Sequence, residues 1–173
     1  MYSTSHDLII FQIPPPDGSR IQIFDIDTGL MAAGTNRKQI LIWSLAENKI
    51  VHKLRAGGHV PMCLILSRPL LVCGGGDTCI NVWHVRQAVI LYKLSTSQAW
   101  ISCAVLRHGV IVAGDVRGQV MKWDLGTHDM NNHGEVEPDI IAQMSDAVRG
   151  LYLDQFSLTS LSFDASCLVW DFW

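Results

Sequence analysis

The chain has 173 residues, of which 49% are hydrophobic and 17% are charged, against about 25% charged residues in an average soluble domain. The chain is therefore too apolar for a disordered tail and too weakly charged for a coiled coil. A formal net charge of −3 argues against a general nucleic-acid binder, because sequence-independent affinity for phosphates needs an excess of lysine and arginine.

The N-terminal residues contain an apolar run at residues 8–13 and a proline-rich segment at residues 14–18. We expect residues 1–19 to form an N-terminal strand and a stiff connector that precede the main region, residues 20–173. No apolar run approaches the roughly 18 residues that span a bilayer, and the basic start of a secretory signal is missing. The sequence therefore predicts no membrane association.

From residue 33 onwards the sequence repeats around a tryptophan. Residues 33–43, 73–83, 113–123 and 160–170 align without gaps, and they end in Trp43, Trp83, Trp123 and Trp170. The first three tryptophans are 40 residues apart, and the fourth follows 47 residues later. Three of the four segments have glycine nine positions before the tryptophan, and Leu161 is the exception. The chain is therefore built from four repeats.

Each repeat contains short runs rich in β-branched and aromatic residues, bounded by glycine and small polar turns. No helical periodicity of useful length is present. The pattern predicts four strands in each unit of about 40 residues, and near-continuous apolar runs favour sheets that are buried on both faces. We place the four units at approximately residues 20–55, 59–94, 98–144 and 146–173.

The tryptophan segments also carry a recognisable dipeptide. Trp123 and Trp170 are each followed by aspartate, and Gly58 and His59 begin 25 residues before Trp83. The chain resembles the WD-repeat β-propeller family in these features. The resemblance implies an all-β fold of about four blades, each with four antiparallel strands. Because such rings usually have seven blades, we expect a partial or open propeller: a truncated isoform, a partial gene product or half of an eight-blade dimer.

In that family a histidine, a serine or threonine, an aspartate and the tryptophan form a buried hydrogen-bond network. The resemblance assigns this network to His59, Asp77 and Trp83 in the second unit, and to Ser160, Asp164 and Trp170 in the fourth. In the first and third units an arginine occupies the aspartate position. We expect these two side chains, Arg37 and Arg117, to project into solvent.

The resemblance also indicates a binding surface. It places Arg37 and Arg117 on the face where partners of the family usually dock, and it places Arg20 and Trp100 at a further contact position. Tryptophan and arginine dominate binding hot spots, and arginine clusters recognise acidic or phosphorylated motifs. We therefore predict a protein or peptide partner, while ordinary solvation of these side chains is the alternative for each residue.

The sequence contains none of the common phosphate-binding, hydrolase or zinc-protease motifs, so we predict no catalytic residue and no cofactor. His128, Asp129 and His133 fit no standard zinc spacing, so we expect a solvated loop and no metal site. The five cysteines include no CxxC pair, which favours reduced thiols in a cytoplasmic or nuclear protein.

Three functional hypotheses follow from these observations. The first is a non-enzymatic protein–protein interaction scaffold. A narrower version is the substrate-recognition part of a ubiquitin-ligase adaptor, since the short connections resemble those of F-box/WD-repeat proteins. The third is a structural subunit that docks through its end blades in a larger complex or in a homodimer.

Overall fold

The structure is a computed structural model that describes residues 15–77, 79–96, 99–127 and 135–171. Strands dominate these residues, and they form four sheets that follow one another along the chain. Sheet 1 contains β1 (Ile21–Asp27), β2 (Leu30–Thr35), β3 (Gln39–Ser44) and β4 (Lys49–Arg55). Sheet 2 contains β5 (Pro61–Ser67), β6 (Leu70–Gly75), β7 (Cys79–His84) and β8 (Val89–Ser95).

Sheet 3 contains β9 (Ile101–Arg107), β10 (Val110–Asp115), β11 (Gln119–Asp124) and β13 (Asp139–Gln143). Between β11 and β13 lie a short 3-10 helix (Leu125–Thr127) and β12 (Glu135–Val136), which pairs in parallel with β8 at the edge of sheet 2. Sheet 4 contains β14 (Val148–Leu153), β15 (Ser157–Ser162) and β16 (Cys167–Asp171). All other pairs are antiparallel, as the alternation of short apolar runs and turns predicted. The expected N-terminal strand, residues 8–13, lies outside the described residues.

The core consists of separate apolar layers between successive sheets. Ile40 and Ile42 of sheet 1 pack with Trp83 of sheet 2, and Val82 of sheet 2 packs in the next layer with Trp123 of sheet 3. The third layer joins sheet 3 to sheet 4, and Trp170 of sheet 4 packs against this layer. In three of the four repeats the tryptophan therefore faces the preceding sheet, so each sheet is apolar on both faces.

Glycine sets how closely the sheets approach. Gly34, Gly74 and Gly114 occupy the same repeat position. A Cβ at Gly34 or Gly114 would lie less than 3.0 Å from a side chain in the next sheet, and one at Gly74 would lie 3.3 Å from Ile101 of sheet 3 and 2.9 Å from Cys63 of its own sheet. The closest contact is at Gly114, where that Cβ would lie 2.5 Å from Val148. The fourth repeat has Leu161 at this position, and it is 47% exposed because no sheet packs on that face among the described residues.

The stack is open. Strand β1 packs on β5, β5 on β9 and β9 on β14, but β14 is not packed extensively on β1. The all-β, repeat-like fold is confirmed. The prediction of a partial or open WD-repeat β-propeller, with about four blades of four antiparallel strands, is wrong, because sheet 4 has three strands among the described residues and the sheets form no clear propeller. The physical reason is that a ring would require the outer face of sheet 4 to meet sheet 1. Instead, sheet 4 exposes Tyr152, Leu161 and Val169 on that face, and Phe163 in the turn after β15 is also exposed.

Candidate functional site

One end of the stack, the turn-end surface, gathers the residues that precede the first strand of each sheet and the turns that join its second and third strands. Backbone hydrogen bonds connect the two segments in three sheets. Asn36 N donates to Arg20 O at 2.9 Å, Val116 N to Trp100 O at 3.0 Å and Phe163 N to Ala147 O at 3.0 Å. These bonds fix the backbone from which the predicted binding residues project.

Arg20 and Arg37 lie together on sheet 1. The Arg20 N–H donates to Asn36 Oδ1 at 2.9 Å, and the Arg37 N–H donates to Thr35 Oγ1 at 3.3 Å. The Arg37 side chain is 56% exposed, and its guanidinium nitrogen lies 3.5 Å from Asp17 Oδ2. Arg37 therefore projects into solvent, as predicted, although a carboxylate accompanies it.

Trp100 and Arg117 lie on sheet 3. Asp115 Oδ1 accepts hydrogen bonds from the N–H groups of Arg117 and Gln119, both at 2.8 Å, and the Arg117 side chain is exposed. Trp100 is 54% exposed although its neighbours Ala99 and Ile101 are buried. Sheet 2 separates this pair from Arg20 and Arg37, so the four predicted residues form two pairs rather than one cluster.

The predicted networks are only partly formed. His59 Nδ1 lies 2.7 Å from Asp77 Oδ1, but the His59 side chain is 54% exposed, so this pair is at the surface rather than buried. No hydrogen bond to a described residue joins the buried Trp83 to the pair. The His59–Asp77 contact of the predicted network is therefore present, but it lies at the turn-end surface, where His59 is open to solvent.

In the fourth unit, Trp170 Nε1 donates to Ser160 Oγ at 3.4 Å, and Ser160 is fully buried. Asp164 does not join this bond. It accepts hydrogen bonds from Ser145 Oγ and from Ser166 N within the adjoining turn. The fourth unit therefore has the predicted serine–tryptophan contact without the aspartate.

The sequence analysis missed a cleft between sheets 1 and 2. Its walls include two cations, Arg55 and Lys93, and the buried amide of Asn81. A sequence signal for it exists, because Asn81 lies two positions before the repeat tryptophan, where the other repeats have Leu41, Met121 and Leu168. A polar residue at an apolar repeat position is an informative departure.

The exposed outer face of sheet 4 was also missed in detail. The Arg149 guanidinium carbon lies 4.1 Å from the centre of the Phe163 ring, a cation–π contact. Large apolar side chains exposed together mark interaction surfaces more often than isolated ones do. Leu161, the departure from glycine, was the sequence signal that pointed to this face.

Cysteine and metal chemistry give no site among the residues that the structure describes. Burial raises the pKa of Cys63 to about 12 and that of Cys73 well above its usual range, so neither supplies a thiolate near neutral pH. None of the five cysteines, all of which the structure describes, forms a disulfide. No group of three potential metal ligands occurs in the described ranges, and residues 128–134, with His128, Asp129 and His133, lie outside them.

The described part of the chain contains no helix with the length and hydropathy needed to cross a membrane.

No protein-family model matches the sequence, and no curated protein matches it. Solved structures do match. The crystal structure of the computationally designed Ika4 protein superposes with a TM-score of 0.79 and 18% identity, covering 88% of this chain and 91% of that chain. The computationally designed Ika8 protein superposes with a TM-score of 0.76 and 16% identity, covering 88% of this chain and 46% of that one.

The chain thus spans less than half the length of Ika8, and at this identity the similarity shows the fold alone. These two structures are designed proteins rather than WD-repeat proteins, which supports the correction made from the open stack. The comparisons support an all-β, repeat-like fold and assign no family.

Proposed function

We propose that this chain is a non-enzymatic protein–protein interaction scaffold whose turn-end surface binds an acidic or phosphorylated segment of a partner protein. The observation that carries this proposal is the exposure of Trp100. A tryptophan that is 54% exposed leaves a large apolar surface in water, and burying it against a partner is favourable.

The surroundings of Trp100 support a binding role. Its carbonyl accepts a hydrogen bond from Val116 N at 3.0 Å, and Ile101 next to it is fully buried. The side chain is thus presented by a fixed backbone, which lowers the entropy lost on binding. Val116 is itself exposed, and Arg117 follows it in the same turn, so an aromatic, an aliphatic and a cationic side chain lie on one edge.

The test is a peptide library of acidic and phosphorylated segments, screened against the wild-type chain. Binders should lose affinity with Trp100→Ala and Arg117→Ala, and less so with Arg20→Ala and Arg37→Ala on the other sheet. Tyr152→Ala, which removes an exposed aromatic side chain from sheet 4, is the matched control and should bind normally. A library without binders, or four alanine variants that keep every binder, would contradict the proposal.

A second candidate is a structural subunit that docks through an end sheet, and the exposed face of sheet 4 favours it. At the position where the internal sheets have glycine, sheet 4 has Leu161. A partner on this face therefore cannot pack as closely on sheet 4 as the internal sheets pack on one another. A second copy of this chain is the partner that a purified sample contains. If two copies associate, light scattering of the wild type should give a mass above the 19.2 kDa of one chain, and Val169→Glu should lower this mass. A wild-type monomer would contradict this candidate.

The ubiquitin-ligase adaptor and the cytoplasmic or nuclear location stay predictions, since none of the contacts described above bears on them.

A further inference from the structure

The cleft between sheets 1 and 2 has the composition of an anion site. It has a volume of about 560 Å³ and is lined by Arg55 at the end of β4, by the glycine-containing segments around Gly58 and Gly76, and by Asn81 and Lys93. Volumes of this order are typical of small-molecule sites. Asn81 of β7 pairs directly with Lys93 of β8, so these two side chains share one face of sheet 2.

The charges in the cleft favour an anion. Arg55 and Lys93 are both exposed and form no ion pair with a described residue. Asp77 is the acidic residue of the lining, and its carboxylate already has partners. It accepts from Gly58 N at 2.9 and 3.0 Å and lies 2.7 Å from His59 Nδ1. The lining therefore carries two cations, neither ion-paired with a described residue, against one carboxylate.

The amide of Asn81 provides an independent observation. Asn81 is 7% exposed and lines the cleft. Its Oδ1 lies 3.9 Å from Cys79 Sγ, but its Nδ2 donates to none of the described residues. A Cβ added at Gly57 would lie 3.8 Å from that Nδ2, so the absence of a side chain leaves the amide approachable. The Asn81 amide is therefore open to the cleft, and its N–H groups can donate to a ligand oxygen there.

We propose that this cleft binds a phosphomonoester. Arg55 and Lys93 compensate its charge, and the Asn81 amide donates to one phosphate oxygen. Phosphate is favoured over carboxylate because its oxygens accept from several converging donors at once. A bare phosphate does not fill the cleft, and the partly exposed Ile90 on its wall provides an apolar contact for the organic group of an ester.

The phosphate ester has two possible sources, a small metabolite or a phosphorylated side chain of a protein partner. In both cases the site adjoins the turn-end surface at the segments around Gly58 and Gly76, but its cations are Arg55 and Lys93 of sheets 1 and 2. The proposed scaffold surface centres on Trp100 and Arg117 of sheet 3. The inference therefore does not depend on the proposed function, and either one can fail alone.

The experiment titrates the wild-type chain with inorganic phosphate, phenyl phosphate and a short phosphoserine peptide, followed by amide NMR and calorimetry. Phenyl phosphate should bind saturably, more tightly than inorganic phosphate, and should shift the Asn81 side-chain amide resonance. Losing a charge-assisted hydrogen bond should weaken this binding roughly tenfold or more in Arg55→Ala and Lys93→Ala. Asn81→Leu, which installs a residue found at the same position in two other repeats, should also weaken it.

Two controls separate the site from general charge attraction and from the scaffold surface. Lys53→Ala removes an exposed cation of β4 that does not line the cleft, and it should bind phenyl phosphate normally, as should Trp100→Ala. Tighter binding of the phosphoserine peptide would identify a protein source, and equal binding a small ester. No saturable binding, equal losses in Lys53→Ala and Arg55→Ala, or phosphate binding as tightly as its ester would overturn the proposal.

Discussion

Replacing Gly114 with alanine tests the close approach of sheets 3 and 4. The added Cβ would lie 2.5 Å from both Cβ and Cγ1 of Val148 and 3.0 Å from its Cγ2. Val148 is fully buried in the layer that contains Val112 and Leu158, so it cannot move into solvent. The two sheets must separate or shift locally, which loosens the packing of the whole layer.

Overpacking of this kind costs about 1–3 kcal/mol of unfolding free energy. In a chain of 150–250 residues each kcal/mol lowers the melting temperature by about 2–4 °C. Gly114→Ala should therefore melt roughly 2–12 °C below the wild type. Urea unfolding followed by tryptophan fluorescence gives the free energy, because Trp123 and Trp170 report on the layers on either side of sheet 3.

Gly150→Ala is the matched control. Gly150 also lies in a strand, but the nearest atom to its added Cβ is Leu161 Cδ1 at 3.7 Å, an ordinary contact. Glycine-to-alanine changes that fit the native backbone stabilise by about 0.4–1 kcal/mol through the unfolded state, so this variant should be at least as stable as the wild type. Equal stabilities of the two variants would refute the close approach of the sheets.

Three further predictions concern single side chains. In native protein the exposed Cys167 should react with a thiol reagent well before Cys63, because burial raises the pKa of Cys63 to about 12. Mass spectrometry identifies the modified sites, and reaction in the reverse order would contradict the burial of Cys63 between the sheets. The N–H groups of Phe156 and Ser157 hold the pKa of Asp154 below its usual 3.8. The Asp154 carboxylate therefore stabilises the fold above that pH, and this stabilisation is lost as the pH falls through the folded pKa. The stability difference between wild type and Asp154→Asn should shrink in acid, and a constant difference is the refuting result. Ser160→Ala removes the acceptor of the Trp170 indole and should cost about 1 kcal/mol in urea unfolding, so an unchanged midpoint would show that this bond contributes nothing.

Much of the local structure was predictable because it depends on short-range patterns. The tryptophan register and the apolar runs predicted the strands of all four units. The glycine nine residues before the tryptophan was visible as part of the repeat, but its close approach to the next sheet follows only from the packing. The exposure of Arg37 and Arg117 followed from their occupying a turn position where a carboxylate was expected.

The candidate site was predictable only in part. The turn-end surface contains all four predicted binding residues, Arg20, Arg37, Trp100 and Arg117. Their division into two pairs was not predictable, because it depends on how far sheet 2 separates sheets 1 and 3. Asn81 was visible as a polar residue at an apolar repeat position. The proximity of Asn81 to Arg55 was not predictable, because only the stacking of sheets 1 and 2 brings these two residues together.

The sequence alone therefore determined an all-β chain of four repeats that stack in order, since each repeat carries its own strand and turn signals and two apolar faces. An arrangement short of a full ring was already expected from the number of repeats. Only the tertiary structure decided how the sheets stack, that His59 and Asp77 lie at the surface and which apolar side chains sheet 4 exposes. Ring closure depends on the summed angles between successive sheets, which no single repeat encodes. The same repeated pattern is therefore compatible with an open or a closed arrangement until the packing of the sheets is known.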